Sequence, residues 1–206
     1  MTARRVTFAL LALTVAQLAV ATFVPGLEQF EGKAFGARLL AYPLMMLLVP
    51  AVWMLVRHLR GGPDGLREPL PWAGFAWIMA PFLVDVTGNT LDLYDRVWWW
   101  DDANHAVNWF MLGVGAGLLL MRGDVRPRWA LGLLVAGLGA MLAIGWEVGE
   151  WWAFIRHGTE LDTAYTDTLG DEVLGTLGSA VAGLVIALRA GTPVPSRSPQ
   201  PLHHGP

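Results

Sequence analysis

The sequence predicts an all-α membrane protein: a polytopic transmembrane helical bundle of about six spans, with both termini in the cytoplasm. Of its 206 residues, 54% are hydrophobic and only 15% are charged, and the mean hydropathy is +0.45. Six segments are apolar over about the 20 residues that one membrane-spanning helix needs. Basic residues are concentrated at alternate ends of these segments, which is typical of cytoplasmic loops.

The six apolar segments cover residues 6–24, 39–56, 71–93, 103–121, 129–154 and 168–188, with short Gly- and Pro-containing connections between them. The first segment follows Arg4 and Arg5 and contains Ala19-Val20-Ala21, as a cleaved signal peptide would. Its apolar run is longer than the core of a typical signal peptide, so a retained membrane anchor is favoured. Residues 1–190 therefore form the predicted transmembrane domain, and the Pro-, Ser- and Gly-rich residues 191–206 a disordered cytoplasmic tail.

The orientation follows from the basic residues. Ten Lys or Arg residues and three acids lie in the N-terminus, the second and fourth connections and the tail. The other segment ends contain four Lys or Arg residues and fourteen acids. The formal net charge of −3 thus combines a basic cytoplasmic side with a strongly acidic outer side. A net negative chain argues against nucleic acid as a partner. The absence of Cys excludes disulfides, thiolate metal sites and a Cys nucleophile.

Polar residues interrupt the third to sixth segments where each one meets the outer side. Residues three or four apart lie on one face of a helix. This spacing groups Asp85, Asn89 and Asp92 on the third segment and Asp101, Asp102, His105 and Asn108 on the fourth. Glu147 and Glu150 end the fifth segment, and Asp167 and Asp171 begin the sixth. If the helices form a bundle, all these side chains lie at one membrane level and line one outward-facing pocket.

Small residues continue two of these faces inward. Ala143, Ala140 and Ala136 continue the face of Glu147 and Glu150, and Gly175, Gly178 and Ala182 continue that of Asp171. Such stripes allow two helices in a membrane to approach closely.

Close carboxylates repel one another unless they bind protons or a cation. A divalent metal held by His105, Glu147, Glu150, Asp167 and Asp171 is one interpretation, and oxygen and imidazole ligands suit Zn, Mn, Fe or Mg. Acid–base catalysis by His105 with Asp101 or Asp102, together with Glu147 and Glu150, is the other.

A structural role is also open for the acids at helix starts. Asp101 or Asp102 is a candidate N-cap of the fourth helix, and Asp167 or Thr168 of the sixth, because these residue types accept hydrogen bonds from free backbone N–H groups. Glu147 and Glu150 lie at a helix C-terminus, where the dipole disfavours acids, so capping does not explain them.

Three motifs resemble the YjdF-like family of bacterial inner-membrane proteins, which is uncharacterised. They are Tyr94-Asp95-Arg96 followed by Asp102 and His105, the segment Trp146–Trp152 with sequence WEVGEWW, and the segment Tyr165–Asp171 with sequence YTDTLGD. The resemblance covers about residues 85–188 and implies a multi-pass protein of the bacterial inner membrane. A looser similarity connects the chain to VanZ-like membrane proteins, although Gly175 stands where those have Asn.

Three functions fit these observations. The first is an enzyme that acts on a lipid-linked or amphiphilic substrate at the outer leaflet. The second is a cation- or proton-coupled transporter in which Asp85 and the glutamates bind the ion. The third is a non-catalytic membrane partner protein. The inner halves of the last two segments contain only Ala, Gly and Leu among their facing residues, which disfavours a polar transport path.

Overall fold

The computed structural model describes residues 1–24, 28–65, 69–123, 125–156 and 163–190, and within these ranges the chain is helical with no strand. The prediction of an all-α protein is confirmed. The predicted disordered tail, residues 191–206, lies outside the described residues.

Six long helices correspond to the six apolar segments. They are α1 (Ala3–Phe23), α2 (Phe35–Gly65), α3 (Trp72–Thr90), α5 (Trp100–Leu120), α6 (Arg128–Glu150) and α7 (Ala164–Ala190), with the short α4 (Leu93–Arg96) between α3 and α5. A 3₁₀ turn (Glu28–Phe30) precedes α2, and a π-helical turn (Trp151–Ile155) extends α6. The sequence thus predicted every long helix of the described residues, with boundaries displaced by a few residues except at the end of α2, which continues nine residues beyond the predicted segment.

Four of the long helices are long and apolar enough to cross a membrane: α1, residues Phe35–Gly61 of α2, α6 and α7. The other two, α3 and α5, contain most of the polar residues singled out in the sequence, among them Asp85, Asn89, Asp101 and His105. These residues lower the hydropathy of both helices. Six spans therefore remain a prediction, whereas four helices meet the requirement by length and composition.

The outer faces of the helices are apolar. Met141 on α6 and Leu184 on α7 are 72% and 60% exposed, and Leu44 on α2 is 71% exposed. A soluble monomer rarely leaves such extended apolar surface in water. Hydrocarbon chains of a bilayer are a compatible environment for these faces, in agreement with a membrane protein.

Small residues form the contact between α6 and α7. A Cβ atom at Gly132 would lie 2.9 Å from the carbonyl oxygen of Gly183, and Gly139 lies directly against Ser179. The predicted stripe on α7 is correct, since Gly175, Gly178 and Ala182 are all buried.

On α6 the predicted stripe is only partly correct. Ala143 is buried, but Ala136 and Ala140 are half-buried, and Gly132 and Gly139 form the inner face. The contact face is rotated by about one residue, because the glycines permit a closer approach than alanines do.

Helix α3 lies between the two halves of the molecule. It packs against α1 on one side and α5 on the other. At the contact with α5, a Cβ atom at Gly115 would lie 3.0 Å from the carbonyl oxygen of Gly74, so the two backbones nearly touch. The helices α1 to α3 are thereby joined to the group formed by α5, α6 and α7.

The suggested N-caps are wrong. Helix α5 begins at Trp100 with Trp99 as its N-cap residue and no side-chain cap, so Asp101 and Asp102 lie within the first turn. Helix α7 begins at Ala164, so Asp167 also lies in the first turn and Thr168 after it. Acids in a first turn still interact favourably with the helix dipole, but they do not cap the N-terminus of the helix.

Candidate functional site

Four helix ends meet at what we call the acidic end of the bundle: the C-terminal ends of α3 and α6 and the N-terminal ends of α5 and α7. Five side chains there form the histidine cluster, defined as Asp101, His105, Glu147, Glu150 and Asp171. They come from α5, α6 and α7, whose close packing brings them together.

His105 is the centre of the histidine cluster. Its Nδ1 atom lies 3.7 Å from a carboxylate oxygen of Glu147 and 3.7 Å from one of Asp171. Its Nε2 atom, on the opposite side of the ring, lies 3.6 Å from a carboxylate oxygen of Asp101. The imidazole is therefore placed between two carboxylates at one nitrogen and a third at the other.

Two overlapping groups of ligand atoms among the described residues are close enough to be candidate metal ligands. The ligand atoms of His105, Glu147 and Glu150 lie within 4.8 Å of one another, and so do those of Asp101, His105 and Asp171. All donors are imidazole nitrogen or carboxylate oxygen, the combination that suits Zn²⁺, Mn²⁺ or Fe²⁺.

The centre of the cluster is buried and incompletely hydrogen-bonded. His105 is 9% exposed, and Glu147 and Asp171 are each 4% exposed. Neither Nδ1 of His105 nor Oε1 of Glu147 has a hydrogen-bond partner among the described residues. Buried polar atoms in native proteins are nearly always paired, so these two atoms, which face each other, are candidates for binding a ligand.

Glu150 occupies the edge of the histidine cluster. It is half-buried, one helical turn beyond Glu147, and accepts a hydrogen bond of 3.1 Å from the indole nitrogen of Trp146. Trp146 is itself 36% exposed on the outer face of α6. The carboxylate of Glu150 is thus connected to a side chain on the apolar outer surface.

Asp85 belongs to a second group of polar side chains, which we call the Asp85 network: Arg38, Tyr42, Asp85, Asn89, Tyr94, Asn104 and Asn108. Arg38 pairs with the Asp85 carboxylate at 2.9 Å, and the hydroxyl of Tyr42 donates a hydrogen bond to the same oxygen. Asn89 donates to the other oxygen at 3.3 Å. The acid in α3 is therefore charge-paired and hydrogen-bonded.

Tyr94 extends the network to α5. Its hydroxyl donates a hydrogen bond of 2.8 Å to Asp85 and accepts one from the amide nitrogen of Asn104. The carbonyl oxygen of Asn104 in turn accepts a hydrogen bond of 2.7 Å from Asn108. Burial, followed by the charge of Asp85, raises the pKa of Tyr94 above its ordinary value, so its hydroxyl keeps its proton.

Asp92 does not belong to either group, and its predicted place on the face of Asp85 and Asn89 is wrong. Helix α3 ends at Thr90, and Asp92 has a left-handed backbone with φ of 60°, so it leaves the helical face. Lys33 pairs with Asp92 at 2.7 Å and with Asp95 at 2.5 Å. The hydrogen bond from Lys33 lowers the pKa of Asp92. Burial alone would lower the pKa of Lys33, but its contacts with Asp92 and Asp95 outweigh burial and raise that pKa above its ordinary value.

The remaining predicted residues have different surroundings. Asp102 and Asp167 are exposed, and neither belongs to a group of ligand atoms among the described residues. Asn89 and Asn108 belong to the Asp85 network rather than to the histidine cluster. The structure thus brings four of the predicted residues together around His105 and places Asp85 in a neighbouring network.

Sequence reasoning missed Arg38, Tyr42 and Asn104. The clue to Arg38 and Tyr42 was their spacing of four, which places a cation and a hydroxyl on one face of α2, together with the need of a carboxylate in a membrane helix for a partner. Asn104 directly precedes His105, and only the position of Tyr94 shows what it binds.

Comparison with known proteins gives a family but no activity. A family model described as predicted membrane protein (DUF2238) matches residues 7–191. No curated protein and no solved structure matches the chain. The similarity to VanZ-like proteins remains a prediction.

Proposed function

Because that match extends over most of the chain, the protein belongs to this family of predicted membrane proteins, and we propose that it is a metal-dependent membrane enzyme. In this proposal the histidine cluster binds one divalent cation and the substrate is a lipid-linked or otherwise amphiphilic molecule. The basic side of the bundle faces the cytoplasm of a bacterial cell, and the acidic end faces outward.

The proposal depends on one observation, the two buried atoms at the centre of the histidine cluster that have no hydrogen-bond partner among the described residues. Nδ1 of His105 and Oε1 of Glu147 are buried, have no hydrogen-bond partner among the described residues and lie 3.7 Å apart. Neighbouring ligands of a cation bound at about 2.1 Å are separated by about 3.0–3.4 Å. A contraction of a few tenths of an ångström would therefore bring Nδ1 of His105 and Oε1 of Glu147 to the spacing of two ligands of one ion, and Asp171, also 3.7 Å from Nδ1, is a further candidate ligand.

The other groups of the cluster then have definite chemical roles. Asp101 faces the second ring nitrogen of His105 at 3.6 Å, the position of a carboxylate that orients a metal-bound imidazole. A divalent cation lowers the pKa of a bound water and polarises a carbonyl or phosphoryl oxygen. Glu150, at the half-buried edge of the cluster, would be the carboxylate available to accept a proton.

The surroundings of the cluster support an amphiphilic substrate. Trp98, Trp151 and Trp152 are 89%, 45% and 62% exposed near the acidic end, and Trp is enriched where a membrane protein meets the lipid headgroups. Trp146 contacts both the apolar surface and Glu150. A site at this level is accessible to the polar head of a molecule whose tail remains in the bilayer.

Close packing on the other side of the cluster favours an enzyme over a transporter. Toward the opposite end of the bundle, Gly113 lies against Ala182, where an added Cβ atom would be 2.7 Å away, and Gly117 lies against Ile186. Ser179, one turn closer to the acidic end than Ala182, is fully buried and donates a hydrogen bond to the backbone oxygen of Trp109. Among the described residues of α5, α6 and α7, these contacts leave little room for a polar path, which supports an enzyme over a transporter.

Metal analysis of the purified protein tests the proposal. Protein prepared with a histidine-free tag should bind about one equivalent of Zn²⁺ or Mn²⁺. His105→Ala and Glu147→Gln should lose it. His58→Ala is the matched control, because His58 lies on α2 away from the cluster and should bind metal like the wild type. A wild type without metal affinity, or equal binding by all four proteins, would exclude a metal site at His105.

The orientation can be tested separately, because the chain has no Cys. Single cysteines replacing the exposed Arg96 and Gly123 should react differently with a membrane-impermeant maleimide added to intact cells. We expect labelling at position 96 and none at position 123. The reverse pattern would place the histidine cluster on the cytoplasmic side.

A further inference from the structure

We propose that Tyr94 is a positioning residue for His105. By joining Asp85 to Asn104, it holds the beginning of α5 in the rotation that turns His105 toward Glu147 and Asp171. This inference rests on the proposed metal site, and it assigns a role to a residue outside that site.

The first step is the support of Asp85 itself. Arg38 and Tyr42, from α2, bond to one carboxylate oxygen, and Asn89, from the same helix as Asp85, donates to the other. A carboxylate with several donors from two helices has little freedom to move. Asp85 is therefore a fixed point to which another segment can be attached.

The second step is the attachment of α5. Tyr94 bonds to Asp85 at 2.8 Å and accepts a hydrogen bond from Asn104. Asn104 is 6% exposed, and its carbonyl oxygen accepts a hydrogen bond from Asn108. Both ends of the Asn104 amide are thus bonded, which defines the orientation of this side chain.

The third step connects Asn104 to the histidine. Asn104 and His105 are consecutive residues of one α-helix, so a rotation of the helix that displaces one side chain displaces the other. Helix α5 has no side-chain N-cap that would hold its first turns. The aromatic contact between Tyr94 and Trp100, with ring centres 6.4 Å apart, adds to the same attachment. Tyr94 therefore replaces a cap as the tether of this helix end.

Two tyrosines provide a matched comparison. Tyr42 and Tyr94 each donate one hydroxyl hydrogen bond to Asp85, but only Tyr94 is bonded to Asn104. Tyr94→Phe should raise the dissociation constant for Zn²⁺ about tenfold, the lower end of the effect of removing groups that orient metal ligands. It should also change the visible spectrum of the Co²⁺-loaded protein. Tyr42→Phe should leave the constant within about twofold and the spectrum unchanged, because Arg38, Asn89 and Tyr94 still bond to Asp85 and the link to Asn104 is intact.

Hydrogen exchange of residues 100–106 completes the test without metal. The amides there should exchange faster in Tyr94→Phe than in Tyr42→Phe. Equal exchange in the two variants would overturn the positioning role, whether or not the wild type binds metal. Absence of metal binding by the wild type would exclude the proposed function but not the positioning role. Equal metal affinities of the two variants in a metal-binding protein would also overturn it.

Discussion

Replacing Arg38 with methionine should destabilise the bundle by about 2–4 kcal/mol, because it removes the cation that faces Asp85. The guanidinium and the carboxylate are 2.9 Å apart, and the two side chains are only 19% and 17% exposed. Methionine retains much of the apolar stem, so the change reports mainly on the charge.

The magnitude follows from the burial of the pair. An exposed ion pair contributes about 0–1 kcal/mol, whereas removing one partner of a buried pair costs about 3–5 kcal/mol. Asp85 would still accept hydrogen bonds from Tyr42, Tyr94 and Asn89, and these offset part of the cost. We therefore expect Arg38→Met to lower the free energy of unfolding by less than the loss of a fully buried pair would, and by clearly more than the loss of a surface pair would.

A double-mutant cycle measures this effect. Unfolding in detergent would be followed for the wild type, Arg38→Met, Asp85→Asn and the double variant. Because the neutral amide introduced by Asp85→Asn needs no cation, adding Arg38→Met to that variant should cost less than Arg38→Met alone, by at least about 1 kcal/mol. A cost below about 0.5 kcal/mol for Arg38→Met, or strict additivity of the two changes, would refute the interpretation of a coupled buried pair.

Two further predictions concern structural contacts. Lys33→Met should lower the melting temperature at pH 7. Because Lys33 lowers the pKa of Asp92, the difference in melting temperature from the wild type should shrink as acidification protonates Asp92. A difference that stays constant down to pH 3 would contradict this ion pair. Gly132→Val should lower the free energy of unfolding by about 1–3 kcal/mol through overpacking against Gly183. Gly137 is on the same helix, but a Cβ atom there would meet nothing within 4 Å, so Gly137→Val should be nearly neutral. Equal losses of stability would contradict the packing of α6 on α7.

The sequence was sufficient to predict the helices and the centre of the candidate site. Apolar runs of about 20 residues have few alternatives to membrane helices, and the spacing of polar residues places them on faces. Alternating helix directions then bring His105, Glu147 and Asp171 to the same end. These predictions use only periodicity and direction, which are local properties of the chain.

The errors arose where the outcome depends on tertiary structure. The spacing from Asn89 to Asp92 fits a helix, but the chain turns after Thr90 and Asp92 binds Lys33, 59 residues away. The inner face of α6 was displaced by one residue because Gly139, rather than Ala140, meets Ser179. Periodicity defines a face only to within about one residue, and the partner helix determines which residue makes the contact.

Asp101 and Asp102 show how the structure separates two residues that the sequence could not. Both acids lie in the first turn of α5 at distances of four and three residues from His105, and either spacing permits a contact. The carboxylate of Asp101 lies 3.6 Å from Nε2 of His105, whereas Asp102 is exposed. Only Asp101 is positioned to orient the imidazole.

The same substitution at both positions therefore gives a controlled test. Asp101→Asn should weaken Zn²⁺ binding about 10- to 100-fold, because the amide no longer provides the charge that increases the basicity of the coordinating imidazole. Asp102→Asn removes an equal charge one residue away and should change the affinity by no more than about twofold. Comparable losses in the two variants would mean that the acidic end attracts cations only through its total charge, with no carboxylate oriented toward His105.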